Sequence, residues 1–185
     1  MMIKLYKPSI DQGVRMGIIT IVIFLGIYAF DPLYFAKPTG WITALVVNLL
    51  ALPIVFMILG AKNTKSNFTP YTFGNAFNAA FFTGVVSSLI VLGFNAIFMT
   101  LIDSTWEQSI FEETMNTTES LMTDMGASQD DIDDAMEKAN EAYADQPKGL
   151  VGAMMNTGKG LVWYAILALI IGAVQKDKKT EEELV

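Results

Sequence analysis

The stretch FGNAFNAAFFTGVVSSLIVLGFNAIFMTLI, residues 73–102, runs without one charged side chain. At 1.5 Å per residue such a helix is about 45 Å long, more than the roughly 30 Å hydrocarbon core of a bilayer. It reads as a transmembrane helix that tilts or protrudes. Upstream, residues 39–61 form a second charge-free apolar run, and Met16 to Phe30, between Arg15 and Asp31, forms a third. That third run is short, so the span recruits its flanks to cover about 13–35. Downstream, Gly160 to Val174 is a fourth run, extended by a small, weakly polar stretch to about 153–175 and interrupted by Lys159. The expected fold is an all-α integral membrane protein of four transmembrane helices, with an extramembrane α-helical hairpin, 103–148, between helices 3 and 4.

Composition agrees with that reading. Of 185 residues, 52% are hydrophobic and only 17% charged, too little polar surface for an ordinary soluble domain. A net charge of -7 argues against a nucleic-acid partner. The chain has no Cys and no His, which removes disulfides, thiolate nucleophiles, His-containing zinc sites and Ser-His-Asp triads by inventory. No cofactor or metal is expected. The N-terminal run is read as a span rather than a signal peptide, because no small-x-small cleavage pattern follows it and a second full span begins within about ten residues.

Orientation follows the cations. Lys4, Lys7, Arg15, Lys62, Lys65, Lys176, Lys178 and Lys179 fall on one side of the four spans. The positive-inside rule makes that side cytoplasmic, with both termini, and leaves 103–148 outside. Tyr34, Phe35, Trp41, Trp106, Trp163 and Tyr164 are expected near the outer interface.

The segment 103–148 holds thirteen acids against Lys138 and Lys148, a charge of about -11. It is nonetheless patterned. Phe111, Met115, Thr118, Met122 and Met125 make one helical stripe, and Ile132, Ala135, Met136, Ala139 and Tyr143 make another. Gly126 suits the left-handed end of the first helix, and Ser128 with Asp131 three residues on suits the start of the second. The acids Asp130, Asp131, Asp133 and Asp134 lack the Gly and Glu positions of an EF-hand and are read as helix N-terminal charges.

Polar groups inside the spans are the candidate functional residues, since hydrocarbon offers them no partner. They are Asn48, Ser87, Ser88, Asn95 and Lys159. Ala80, Gly84, Ser88 and Asn95 share a narrow helical face, expected to pack against the Asn48 face of span two. Pro53 removes a backbone donor and should free the Leu49 carbonyl beside Asn48. Lys159 is expected near the outer end of span four, snorkelling or paired with Asp103 or Asp31. A Ser-Lys dyad with Ser87 or Ser88 is set aside because the serines lie deeper than Lys159.

Two further stretches carry a family resemblance. Phe68-Thr69-Pro70-Tyr71-Thr72-Phe73-Gly74-Asn75-Ala76-Phe77, at the opening of span three, resembles the aromatic-Gly-x-Ala-Phe start of that span in membrane proteins grouped as domain of unknown function 4199. Met125-Gly126-Ala127-Ser128-Gln129-Asp130-Asp131-Ile132 is similar to that family's Gly-x-Ser-x-x-x-Ile joint between polar helices. The resemblance covers nearly the whole chain and implies a bacterial inner membrane. It carries over no catalytic residue, and Lys159 departs from the uniformly apolar last span that the family suggests.

The function expected from the sequence is a non-enzymatic scaffold, or a partner-binding protein acting through its acidic external hairpin. Beyond the lipid bilayer, the expected partner is an envelope protein or a second copy of the chain. The alternative is a small transporter or channel subunit with a polar path near Asn48, Ser87, Ser88, Asn95 and Lys159. Convergence of those side chains on one cavity would favour the alternative, and pairing in tight helix contacts would favour the scaffold.

Overall fold

Proline starts two of the long helices, at the first turn where a missing amide proton costs nothing. Helix α1 is Lys7–Phe30, with Pro8 in its first turn, and α2 is Pro38–Asn67. Helix α3, Phe73–Ile102, is capped by Thr72, whose hydroxyl accepts from the Asn75 amide. Then come α4 (Trp106–Asp124), α5 (Gln129–Asp145) and α6 (Gly149–Gln175). The computed structural model describes residues 2–177 and contains no strand among them; Lys178 and Lys179 of the expected cationic cluster lie outside the described residues. Helices α1, α2, α3 and α6 are each long and apolar enough to cross a membrane.

These four run up and down between two poles. The terminal pole carries Lys7 and Gln175; the distal pole carries residues 31–37 and 103–105. Helix α3 is the centre, packed along α6 and α1 and against α2. The outer surface of the bundle is apolar, with Ile18, Val22, Ile42, Leu89, Val162 and Ile170 exposed.

The terminal half is tightly closed. Met57, Ala61, Ala79, Ala80, Leu167 and Ala168 form its core, and glycines set the helix spacing. A Cβ on Gly13 would lie 2.8 Å from Val86 Cβ, and one on Gly17 would lie 3.0 Å from Ile90 Cβ. The Gly13-x-x-x-Gly17 spacing is thus an internal α1–α3 contact. Gly60 leaves room for the Thr83 hydroxyl, which donates to the carbonyls of Ser9 and Ala79. Ser9 Oγ lies 2.7 Å from Thr64 Oγ1, so small hydroxyls tie α1, α2 and α3 together. Such contacts suit membrane helices, where small residues let backbones approach and hydroxyls bond across the gap.

At the terminal pole Asp177 clamps the α2–α3 loop. Its carboxylate accepts from Lys65 Nζ at 2.8 Å and from the Tyr71 amide at 2.8 Å, while its own amide donates to the Tyr71 carbonyl. The Lys65 bond, then the Tyr71 amide, hold the Asp177 carboxyl below its usual range. A depressed carboxyl stabilises the fold above its unfolded-state value and loses that stabilisation as pH falls through the folded value. Asp177→Asn should therefore lower the thermal midpoint at neutral pH, with a gap that closes below about pH 4. A pH series of circular-dichroism melts on both proteins checks this.

The distal half is looser. Both α2 and α3 contain a wide, π-helical segment there, Ala44–Ala51 and Phe98–Ile102. Phe24 joins an aromatic cluster, with ring centroids 6.0 Å from Phe35, 5.8 Å from Phe94 and 5.3 Å from Trp106. The Trp106 indole donates to the Pro32 carbonyl at 2.9 Å.

Helices α4 and α5 are polar outside and touch through Phe111 and Tyr143, whose rings stack at 3.7 Å. Gly126 ends α4 at φ 80°, and Ser128 caps α5 by accepting from the Asp131 amide. Ile132 is buried, whereas Met125, expected in the first stripe, is exposed.

Helix α6 begins at Gly149, earlier than the 153 expected for the span, because Gly149 at φ 62° turns the chain straight into helix. Trp163 and Tyr164 lie at mid-helix. Tyr164 packs on Gly84, in the middle of α3, rather than at an outer interface.

Candidate functional site

Pro53 lies just after the π segment of α2. Having no amide proton, it leaves the backbone ahead of it without its regular partner. The helix widens there, with the Leu52 amide donating to the Val47 carbonyl five residues back. The freed Leu49 carbonyl accepts from the Trp163 indole at 2.9 Å. Asn48 sits in this segment, and π-helical turns of this kind often re-aim side chains at functional positions. Its Oδ1 is buried with no hydrogen-bond partner. Trapped polar atoms of this kind are uncommon and call for a reason.

Asn48 also borders an open space. A cavity of about 380 Å³ opens between the distal halves of the helices, and Asn48, Ser87, Ser88 and Asn95 all line it. Four of the five polar residues singled out in the sequence therefore converge. The same cavity takes Asn156, Thr157 and Tyr164 from α6, Thr20 from α1, and Glu107 from the first turn of α4. A second cavity of about 260 Å³ adjoins it, walled by Ile21, Phe24, Phe35, Phe94 and Trp106. Thr20, Asn48, Val91, Asn95 and Met99 line both.

The face expected to pack on Asn48 divides. Ala80 is fully buried in the core, and Gly84 faces Tyr164 of α6 instead of α2, where a Cβ would be 2.8 Å from the ring. Ser88 and Asn95 do share surroundings with Asn48, but across a cavity and not in a tight contact.

Lys159 is elsewhere. It lies five residues, about 7–8 Å, from Tyr164, and so near the level of Ser87 and Ser88 rather than at the distal margin. Its side is exposed, turned about 120° from the α6 face that lines the cavity. A Ser-Lys dyad fails on direction and not on depth, which corrects the reason given from sequence. The expected Asp103–Lys159 pair is also absent among the described residues. Asp103 accepts from Tyr28 Oη at 2.9 Å and from the Thr105 hydroxyl and amide, and these bonds, Tyr28 first, hold its carboxyl below the usual range. Asp31 pairs with Lys37 at 2.6 Å.

Sequence reading missed Thr20, Glu107, Asn156, Thr157 and Tyr164. Ala153, Asn156, Thr157, Gly160 and Tyr164 recur at helical spacing within the expected span, so the α6 wall was legible as a stripe. Thr20 carried no signal, being one threonine whose hydroxyl also bonds its own helix at Met16.

Among the groups lining the two cavities there is no basic side chain, and Glu107 is the sole charge. The site is built to hydrogen-bond, with amides and hydroxyls that both donate and accept. The family model described as "Protein of unknown function (DUF4199)" matches residues 12–177. No curated protein and no solved structure matches the chain.

Proposed function

The chain belongs to the DUF4199 family of proteins of unknown function, and from that premise we propose that it is a non-enzymatic, multi-pass membrane protein that binds a small polar solute, as a transporter or a subunit of one. The observation that carries this reading is the convergence of Asn48, Ser87, Ser88 and Asn95 on one cavity of about 380 Å³. Ligand sites are concave, with a few convergent polar groups, and membrane proteins place them where helices are interrupted. The π segment around Asn48 and Pro53 supplies that interruption.

In this reading the protein sits in a bacterial inner membrane with both termini cytoplasmic, as the cation distribution supports. The distal pole faces outward, and α4 and α5 form an acidic external hairpin whose first turn, Trp106 and Glu107, stands over the site. The tight terminal half closes the cytoplasmic side, so the cavity opens outward. The cysteine-free chain makes this testable. Asn95→Cys should react with a membrane-impermeant maleimide added to intact cells, as should Ser128→Cys on the hairpin, while Ala80→Cys in the core should stay unlabelled. Labelling of Ser128→Cys without Asn95→Cys would close the cavity to the outside and sink the reading.

A second reading keeps the hairpin as a docking module for an envelope protein with a basic surface. Its support is the exposed acidic face, on which Lys138 is already paired with Asp134 at 2.6 Å. Deleting 103–148 should then remove that partner from native-membrane copurification.

A further inference from the structure

The polar cavity is only half of the space at the site, and the two halves differ in chemistry. One is walled by amides and hydroxyls, the other by the rings of Phe24, Phe35, Phe94 and Trp106. Asn48 and Asn95 stand at their common boundary. A ligand that is polar throughout would leave the aromatic half unfilled, and one that is apolar throughout would leave the amides of Asn48 and Asn95 desolvated without partners, at a cost. An occupant that satisfies both has a hydrogen-bonding end joined to an apolar chain.

That end carries no negative charge. No basic side chain lines either half, and Glu107 stands at the rim of the polar one. In a low-dielectric site an anion would meet repulsion with no compensating cation. The aromatic walls are preformed: Phe24 is wedged edge-on to Phe94 and Trp106 and stacked on Phe35. A wall already ordered loses little conformational freedom when a chain enters. At the boundary, the buried Oδ1 of Asn48 lacks a donor.

Resting on the solute-binding reading above, we infer that the natural occupant is a single-chain amphiphile with a non-anionic, hydroxyl-bearing head, the head in the polar half and the chain against the rings. The chain length is modest, because the aromatic half holds only about 260 Å³.

The test uses the full chain in phospholipid nanodiscs, with radiolabelled 1-decanoylglycerol as the probe and empty nanodiscs as the partition control. Saturable binding of one probe per chain is expected. Decanoate, which has a similar chain but an anionic head, should compete at least tenfold more weakly than unlabelled 1-decanoylglycerol, as should glycerol, which has the head without the chain. Ala44→Trp, which fills the aromatic half, should weaken probe binding at least tenfold, and Val91→Trp provides a second filling variant if the first does not fold. Binding of the probe that a folded filling variant leaves unchanged would overturn the amphiphile. So would decanoate competing as well as the ester. Failure of the probe while small polar solutes still enter would remove this inference alone, whereas failure of both would remove the binding site on which it rests.

Discussion

Asn48→Leu should raise the thermal midpoint of the ligand-free protein while abolishing binding at the cavity. Leucine has the same number of side-chain heavy atoms as asparagine, branched at the same carbon, and suits the helix around it. In the native protein the Asn48 Oδ1 is buried without a partner, and removing an unsatisfied buried polar atom is stabilising by about 1 kcal/mol or more. The same change strips a convergent amide from the boundary of the two cavities. Gain of stability with loss of binding is the pattern of a residue retained for recognition, since functional sites are often held at a cost to the fold. Detergent-phase melts followed by circular dichroism, with parallel ligand titration, read both effects. A lower midpoint for Asn48→Leu would mean that its amide is a structural bond and not a ligand group.

Gly84→Leu should destabilise the bundle by about 3 kcal/mol or more, through overpacking at a backbone-close contact. A first side-chain carbon at this position already stands 2.8 Å from the Tyr164 ring, and Gly84 is buried between α3 and α6. The ring cannot withdraw freely, because the contact reaches Tyr164 Cγ at 2.8 Å and Tyr164 Cβ at 3.0 Å, atoms held close to the α6 backbone. Gly26 and Gly93 provide the comparison. A Cβ at either meets nothing within 4 Å, so Gly26→Leu and Gly93→Leu should be tolerated, with helix propensity in their favour. Denaturant titration in mixed micelles separates the three variants, and equal midpoints for all of them would deny that α3 and α6 are spaced by Gly84.

Much of the architecture is visible in the chain before any coordinates. Thirty positions without a charge at 73–102 leave little besides a long apolar helix, and Gly126 with Ser128 marks the joint between α4 and α5 through the backbone chemistry of left-handed glycine and an N-cap. What the sequence withholds is register. Lys159 looks marginal when α6 is counted from its purely apolar run, and becomes mid-helix only once Gly149 is seen to start the helix at φ 62°. The same slip hides Tyr164 from the site and places it at an interface instead.

The polar candidates show the other limit. Asn48, Ser87, Ser88 and Asn95 were legible as residues that hydrocarbon disfavours, but whether they pair or surround a space depends on helix crossing and width. The π segments at Ala44–Ala51 and Phe98–Ile102 decide this, and no residue pattern other than Pro53 announces the first of them. Lys159, the most conspicuous polar residue by charge, is the one that faces away.

Flux into proteoliposomes tests the solute site most directly. Wild-type protein and the Asn48→Leu/Asn95→Leu double variant would be reconstituted at equal density and given radiolabelled uncharged polyols and amides, with protein-free vesicles as the baseline. Uptake of at least one solute above that baseline by the wild type, lost in a folded double variant, is the expected result. Equal uptake by the two proteins, or none above the baseline by either, would contradict a path for small polar solutes through Asn48 and Asn95.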